Sequence, residues 1–187
     1  RHTARDIREA FCTAREVGFA CINMDLIAGL PQDSVEGFRD SLEEVLALRP
    51  ENITVHTLAM KKGSRLMEEG GALPSGEETG RMVDLSLEAL EGAGYRPYYL
   101  YRQKYMSGGL ENVSWCLPGT ENHYNIIMME ELQSVLSLGA GGVTKLVDRS
   151  SGRIVRLTNP KYPHDYLAMS AKVLEQKDEI LRFYREV

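Results

Sequence analysis

A short apolar run that ends in a glycine turn constrains the fold most. Residues 22–31 read Ile-Asn-Met-Asp-Leu-Ile-Ala-Gly-Leu-Pro, with Gly18 before the run and Gly29 and Pro31 closing it. An apolar run bounded in this way is typical of a strand that is buried on both faces in a parallel sheet. We therefore predict a strand over residues 19–28.

Helical patterns alternate with such strands in the first half of the chain. The helix after the first strand begins at a cap supplied by Asp33 or Ser34, and the opening helix ends at Gly18. The predicted elements are a helix over 4–17, a helix over 34–48, a strand over 53–60 and a helix over about 77–91. Helix and strand in alternation favour a parallel α/β sheet, in which ligands bind at the carboxyl ends of the strands.

Asp25 is the charged exception within the first strand, which should present it at the strand's end. A carboxylate in a buried run must be paired, hydrogen-bonded or turned toward a site, because burying it bare is costly. Two interpretations stay open: a functional carboxylate, or one that caps a neighbouring loop or pairs with an arginine.

The second half of the chain has a different pattern of residue types. Its pattern predicts an aromatic strand over 95–101, an irregular segment over 115–125, a helix or helix-like run over 126–137, a glycine-rich loop over 138–142, two hairpin strands over 143–148 and 153–157, and a closing helix over 163–185.

Charge and hydropathy exclude two classes of partner. The formal net charge is −5 at pH 7 and the chain has no dense block of lysine and arginine, so we expect no nucleic-acid partner. It has no apolar run near the roughly 20 residues of a membrane span, so we expect no membrane partner.

Three cysteines, Cys12, Cys21 and Cys116, are odd in number and widely spaced, which argues against a disulfide framework and against a cysteine-only metal site. We therefore predict a cytoplasmic location and no metal ligand among them. The chain opens on Arg1 within a helical pattern, which suggests a piece of a longer polypeptide.

Four stretches, in order, carry a family resemblance. They are Asn-Met-Asp-Leu-Ile-Ala-Gly-Leu-Pro-Gln at 23–32, Ile-Thr-Val-His-Thr-Leu-Ala at 53–59, Tyr-Leu-Tyr-Arg-Gln-Lys at 99–104 with Leu-Glu-Asn-Val at 110–113, and Leu-Gly-Ala-Gly-Gly-Val at 138–143. Together they resemble the oxygen-independent coproporphyrinogen III oxidase family of radical S-adenosylmethionine (SAM) enzymes, in particular its coproporphyrinogen dehydrogenase branch.

The resemblance implies an α/β fold. Residues 1–94 would be the last βα units of a radical SAM partial (β/α)6 TIM-like barrel, and residues 95–187 would be the family's α+β C-terminal domain. The implied cofactors are SAM and a 4Fe-4S cluster. The family's Cys-x-x-x-Cys-x-x-Cys motif is absent from this chain, so the cluster ligands would lie outside it and the chain alone would be inactive.

The resemblance also implies four cofactor-binding residues. Asp25 would contact SAM, the backbone of Ala59 would approach it, Arg1 would hold a ligand carboxylate, and Val143 would supply an apolar contact. From the residues alone, Ala59 is equally well a small core residue, and the glycine loop before Val143 is equally well a turn.

Several side chains suit a porphyrinogen substrate, a flat macrocycle with four propionates. Basic groups that could pair with the propionates are Lys61, Lys62, Arg65, Arg102 and Lys104, although exposed lysines are usually only solvated. Three tyrosines, Tyr98, Tyr99 and Tyr101, could flank the macrocycle or pack across strands. We interpret His56 as a satisfied core histidine.

Three functions compete. The first is oxidative decarboxylation of coproporphyrinogen III propionates to give protoporphyrinogen IX in haem biosynthesis. The second is haem binding or delivery on the same fold. The third is a plain α/β domain that holds a nucleotide or phosphate through the glycine loop, which lacks the Lys-Ser/Thr of a P-loop. We also predict self-association through an open sheet edge.

Overall fold

The computed structural model describes residues 2–59, 72–101 and 110–186. These residues divide between two compact units, Arg1–Asn122 and His123–Val187. The predicted boundary between residues 94 and 95 falls inside the first unit, and as an assignment of the family's domains it stays a prediction.

The described residues of the first unit form three helices and four strands. In chain order they are α1 (Ala4–Val17), β1 (Asn23–Ala28), α2 (Val35–Leu48), β2 (Asn52–Thr57), α3 (Gly76–Gly92), β3 (Arg96–Tyr101) and β4 (Asn112–Cys116). The three helices begin and end within one residue of their predicted bounds, because capping side chains fix their starts. The Ser34 hydroxyl accepts a hydrogen bond from Gly37 N at 3.1 Å, and Ser75 forms a capping box with Glu78.

The four strands form one mixed sheet in the order β1-β2-β4-β3. Only β1 and β2 run parallel, and β4 pairs antiparallel with both β2 and β3. The parallel pair is the one that the alternation of helices and strands predicts, and the antiparallel strands β4 and β3 extend it into a mixed sheet. Strand β4 was not predicted, because Asn-Val-Ser-Trp-Cys mixes polar residues into a short run that lacks clean alternation.

Helices α2 and α3 cover one face of this sheet. Phe38 and Leu42 of α2 and Met82 and Leu90 of α3 are fully buried against Trp115 of β4. The register places these apolar contacts on one face, and successive strand residues alternate to the other face. The other face therefore carries the sheet's polar side chains, of which Asn52, Thr54, Asn112 and Ser114 are buried.

Strand β1 lies at the edge of the sheet and is not buried on both faces as predicted. Its residues alternate between exposed and half-buried, and only Ala28 is buried. The strand is also shorter than predicted and starts at Asn23. The reason is that β1 has a described neighbour, β2, on one side only.

The second unit pairs a hairpin with helices. Its elements are α4 (His123–Met129), β5 (Val143–Val147), β6 (Ile154–Thr158), α5 (Pro163–Ala168) and α6 (Ser170–Glu186). The hairpin agrees with the prediction, and β5 pairs antiparallel with β6.

Two helix predictions in the second unit are wrong. The run over 126–137 ends at Met129, because the N–H and C=O of Val135 both bond the backbone of Lys145, at 2.7 and 2.9 Å. The closing helix is interrupted at Met169, where the backbone leaves helical geometry. No helix among the described residues is long and apolar enough to cross a membrane.

Candidate functional site

The polar face of the sheet holds the candidate site. Asp25 is paired in register with Thr54, Thr54 with Ser114, and Ser114 with Tyr99, so this row crosses all four strands. His56 lies two residues beyond Thr54 on the same face and pairs with Ile27. The strands therefore bring hydroxyl, carboxylate, imidazole and phenol groups together on one surface.

Asp25 is the charged centre of this surface. It is the third residue of β1, so it lies in mid-strand and not at the strand's end as predicted, and its side chain is 58% exposed. Its Oδ1 accepts a hydrogen bond from Asn23 Nδ2 at 2.6 Å, and its Oδ2 lies 3.7 Å from His56 Nε2. Among the described residues, the carboxylate neither caps a loop nor pairs with an arginine.

The neighbours of Asp25 favour its ionised form. The interaction with His56 lowers the pKa of this carboxyl most, the Asn23 amide lowers it further, and partial burial opposes both. Asp25 therefore carries a negative charge near neutral pH.

A chain of hydrogen bonds leads to Asp25 across three strands. Thr54 Oγ1 donates to Asn23 Oδ1 at 3.1 Å, and Thr54 Oγ1 lies 2.5 Å from Ser114 Oγ. Because the single hydroxyl proton of Thr54 is given to Asn23, Ser114 must be the donor to Thr54. All donors in the chain thus point toward the Asp25 carboxylate, which is the final acceptor.

A cleft of about 380 Å³ runs from Asp25 toward the carboxyl end of β2. Its lining residues are Asp25, Ile27, His56, Thr57, Leu58, Ala59, Tyr101 and Asn112. Asn112 is buried, and its Oδ1 accepts a hydrogen bond from Thr57 N at 2.7 Å, which fixes the end of β2. The cleft is open to one side and has the size of a small-molecule site.

The structure brings together two of the four predicted cofactor-binding residues. Asp25 and the half-buried Ala59 line the same cleft. Val143 lies in the second unit, at the start of β5, after the positive-φ residues Gly139 and Gly141. Arg1 lies outside the described residues, as do Lys61, Lys62, Arg65, Arg102 and Lys104.

The tyrosines of β3 pack against each other. The rings of Tyr99 and Tyr101 stack with centroids 6.3 Å apart, and the rings of Tyr98 and Tyr99 meet edge to face at 4.8 Å. All three tyrosines belong to β3, so these ring contacts lie within one strand. The contact that crosses strands is that of Tyr101 with His56 of β2, and Tyr101 also lines the cleft.

From the sequence, His56 is interpreted as a core histidine and is not placed at the site. Its ring is hydrogen-bonded as expected, since Tyr101 Oη lies 3.0 Å from Nδ1, but it is only half-buried and lines the cleft beside Asp25. The polar alternation Asn-Ile-Thr-Val-His over 52–56 was the available signal.

The described residues do not fit a 4Fe-4S cluster. Within 2–59, 72–101 and 110–186, no group of three or more histidine, cysteine, aspartate or glutamate side chains could hold a metal ion. Cys12 and Cys21 are exposed, whereas Cys116 is buried, and burial raises the pKa of its thiol to about 11.

Comparison with curated proteins identifies the chain's relatives. It is 39% identical over 188 residues to the oxygen-independent coproporphyrinogen-III oxidase-like protein HemZ of Bacillus subtilis, an alignment that covers all of this chain and 37% of HemZ. The chain belongs to the oxygen-independent coproporphyrinogen III oxidase family. It is also 28% identical over 115 residues to the heme chaperone HemW of Bacillus subtilis, which covers 59% of this chain and 30% of HemW.

A solved structure shows the same fold. The radical SAM enzyme coproporphyrinogen III oxidase (HemN) of Escherichia coli matches 87% of this chain and 36% of its own with a TM-score of 0.62, at 19% identity. The mixed α/β architecture is thus shared with part of that enzyme. No family model matches the chain.

The chain spans between a third and two fifths of the length of HemZ and HemN.

Proposed function

We propose that this chain is the C-terminal part of a radical SAM enzyme that oxidatively decarboxylates coproporphyrinogen III propionates to give protoporphyrinogen IX. The observation that carries the proposal is the ionised, half-exposed carboxylate of Asp25, held on the polar sheet face above an open cleft. Family membership supports the reaction class.

The chemistry of Asp25 fits SAM. This ligand carries a sulfonium, an ammonium and ribose hydroxyls, all of which a carboxylate can bind by charge or by accepting hydrogen bonds. Asn23 occupies one oxygen of Asp25 at 2.6 Å, which leaves lone pairs on both oxygens for a ligand.

The remaining contacts are proposed from the resemblance. The backbone of Ala59 would approach the ligand from the carboxyl end of β2, Val143 would add an apolar contact, and Arg1 would hold the ligand carboxylate. When bound, SAM and a cluster held outside this chain supply the radical that takes hydrogen from a propionate. The role of the described residues is to bind and orient the ligand and to exclude water from it.

Turnover by the full-length protein tests the proposal. The protein is prepared under anaerobic conditions with its cluster reduced and is given coproporphyrinogen III and SAM. We expect protoporphyrinogen IX and carbon dioxide, and we expect an Asp25→Asn variant to lose most of this turnover while an Asp178→Asn variant keeps it. An active Asp25→Asn variant would contradict the assigned role of Asp25.

A second candidate is a haem-binding or haem-delivering protein on the same fold. The similarity to the heme chaperone HemW favours it. In this case the full-length protein would bind haem in a spectroscopic titration and would release no carbon dioxide from coproporphyrinogen III. The two measurements on one preparation separate the candidates.

We also propose a cytoplasmic location. Cys12, Cys21 and Cys116 are all free, and two of them are exposed. Exposed free thiols suit a reducing compartment.

A further inference from the structure

The register of the sheet places His56 between Asp25 and Tyr101. His56 belongs to β2, Asp25 to the neighbouring strand β1, and Tyr101 to β3 on the far side of β4. Tyr101 pairs with Asn112 of β4, whose short side chain turns to Thr57 N, so that the phenol can reach across to the imidazole. Three different strands therefore supply one row of groups in the cleft.

The two ring nitrogens of His56 face different partners. Nε2 lies 3.7 Å from Asp25 Oδ2, and Nδ1 lies 3.0 Å from Tyr101 Oη. An ionised carboxylate only accepts hydrogen bonds, so it favours a proton on Nε2. In the neutral ring Nδ1 is then an acceptor, and the Tyr101 hydroxyl donates to it.

Building on the proposed function, we infer that His56, with its tautomer fixed by Tyr101, is a positioning residue for Asp25. Its Nε2 lies beside Oδ2 of the carboxylate while Asn23 donates to Oδ1, and the two together limit the angle at which Asp25 meets a cationic, hydroxyl-bearing nucleoside. The ligand class that this arrangement selects is a sulfonium or ammonium nucleoside, of which SAM is the probe.

Three other charged residues among those described lie near Asp25, on the side away from the cleft. Arg8, Asp40 and Glu44 line a separate cavity between α1, β1 and α2 that also touches Asp25. Arg8 Nη1 pairs with Glu44 Oε2 at 3.0 Å. Among the described residues that line the cleft, His56 is the titratable side chain within 4 Å of the Asp25 carboxylate.

A pair of substitutions separates positioning from packing. His56→Phe fills the space of the ring without any nitrogen, whereas His56→Gln loses ring volume but keeps an amide that can donate to Asp25. We measure binding of SAM to the full-length protein by calorimetry, with a thermal melt of each variant to confirm folding. His164→Gln in the second unit, whose side chain is 78% exposed, is the control.

Positioning predicts that His56→Phe weakens SAM binding about tenfold, that His56→Gln stays within about threefold of the wild type, and that Tyr101→Phe falls between them. A packing role predicts the opposite order, with His56→Phe the better binder. That order, or binding by His56→Phe equal to that of the wild type, would overturn the inference.

The Asp25→Asn variant distinguishes this inference from the proposed function. If Asp25→Asn weakens SAM binding and His56→Phe does not, only the role of His56 is lost. If the wild type itself does not bind SAM, both the proposed function and the role of His56 are overturned.

Discussion

Asn112 Oδ1 accepts a hydrogen bond from Thr57 N at 2.7 Å, and both residues are almost fully buried. At the end of β2, this side-chain hydrogen bond satisfies a backbone N–H in place of a hydrogen bond between strands. It therefore couples the floor of the cleft to β4.

Replacing Asn112 with alanine removes this acceptor. The Thr57 N–H would then be buried without a partner, so we expect the free energy of unfolding to fall by about 1–3 kcal/mol. Chemical denaturation of the variant and the wild type measures the difference. An unchanged midpoint would show that Asn112 does not fix the end of β2.

Gly29 lies in the turn after β1 and has a φ of +84°. A Cβ there would come within 3.0 Å of Thr79 Oγ1, and Thr79 is fully buried with its hydroxyl bonded to Ser75 O at 3.0 Å. We expect Gly29→Ala to reduce the free energy of unfolding by more than the roughly 1–2 kcal/mol of a left-handed backbone alone.

Gly18 is the matched control, since its φ is +98° and a Cβ there would meet nothing within 4 Å. We expect Gly18→Ala to show only the backbone effect. If thermal denaturation shows equal losses of stability for the two variants, the Thr79 side chain moves to accommodate the added Cβ.

Tyr95 is buried, and its hydroxyl donates to Pro50 O at 2.6 Å. Burial raises the pKa of this phenol above its ordinary value of 10.0. The stability that this shift contributes is present below about pH 10 and is lost as the pH rises through the raised pKa.

We therefore expect the free energy of unfolding of Tyr95→Phe to be about 1 kcal/mol below that of the wild type at pH 7. In alkaline solution it should fall less than that of the wild type. Tyr162→Phe, at a half-exposed ring, should change neither value. A Tyr95→Phe variant with an unaltered alkaline transition would contradict the assignment.

The open side of β1 should recruit another strand. Its unpaired N–H and C=O groups form a template for pairing, and among the described strands only β2 lies beside it. We expect the 187-residue chain to associate with increasing concentration in light scattering, and Ile27→Lys to reduce this association. A clean monomer at all concentrations would refute the prediction.

The parts of the fold that were predictable are those with local causes. Helix α2 could be placed from the Ser34 cap and its apolar face, and the β5-β6 hairpin from two apolar runs around a loop. The antiparallel return of β4 between β2 and β3 could not be predicted, because strand order depends on contacts between residues far apart in sequence.

The site was predictable to a similar extent. Asp25 stood out because a charge interrupts an apolar run, and Ala59 was placed only through the family resemblance. The polar alternation over 52–56 could have placed His56 on the same face as Thr54, but the contacts of Asn23 and His56 with Asp25 could not be foreseen, because they follow from the register of β1 and β2. The contact with Tyr101 depends on the reach of that side chain over β4.

Binding of SAM to the Asp25→Asn variant of the full-length protein tests the central claim most directly. The change keeps the size of the side chain and removes its charge. We predict that calorimetry will show an affinity roughly 10- to 100-fold below that of the wild type, as expected for the loss of hydrogen bonds to a charged group, with Asp178→Asn unaffected. If Asp25→Asn binds SAM as tightly as the wild type, Asp25 does not hold this ligand, and the cleft has a different role.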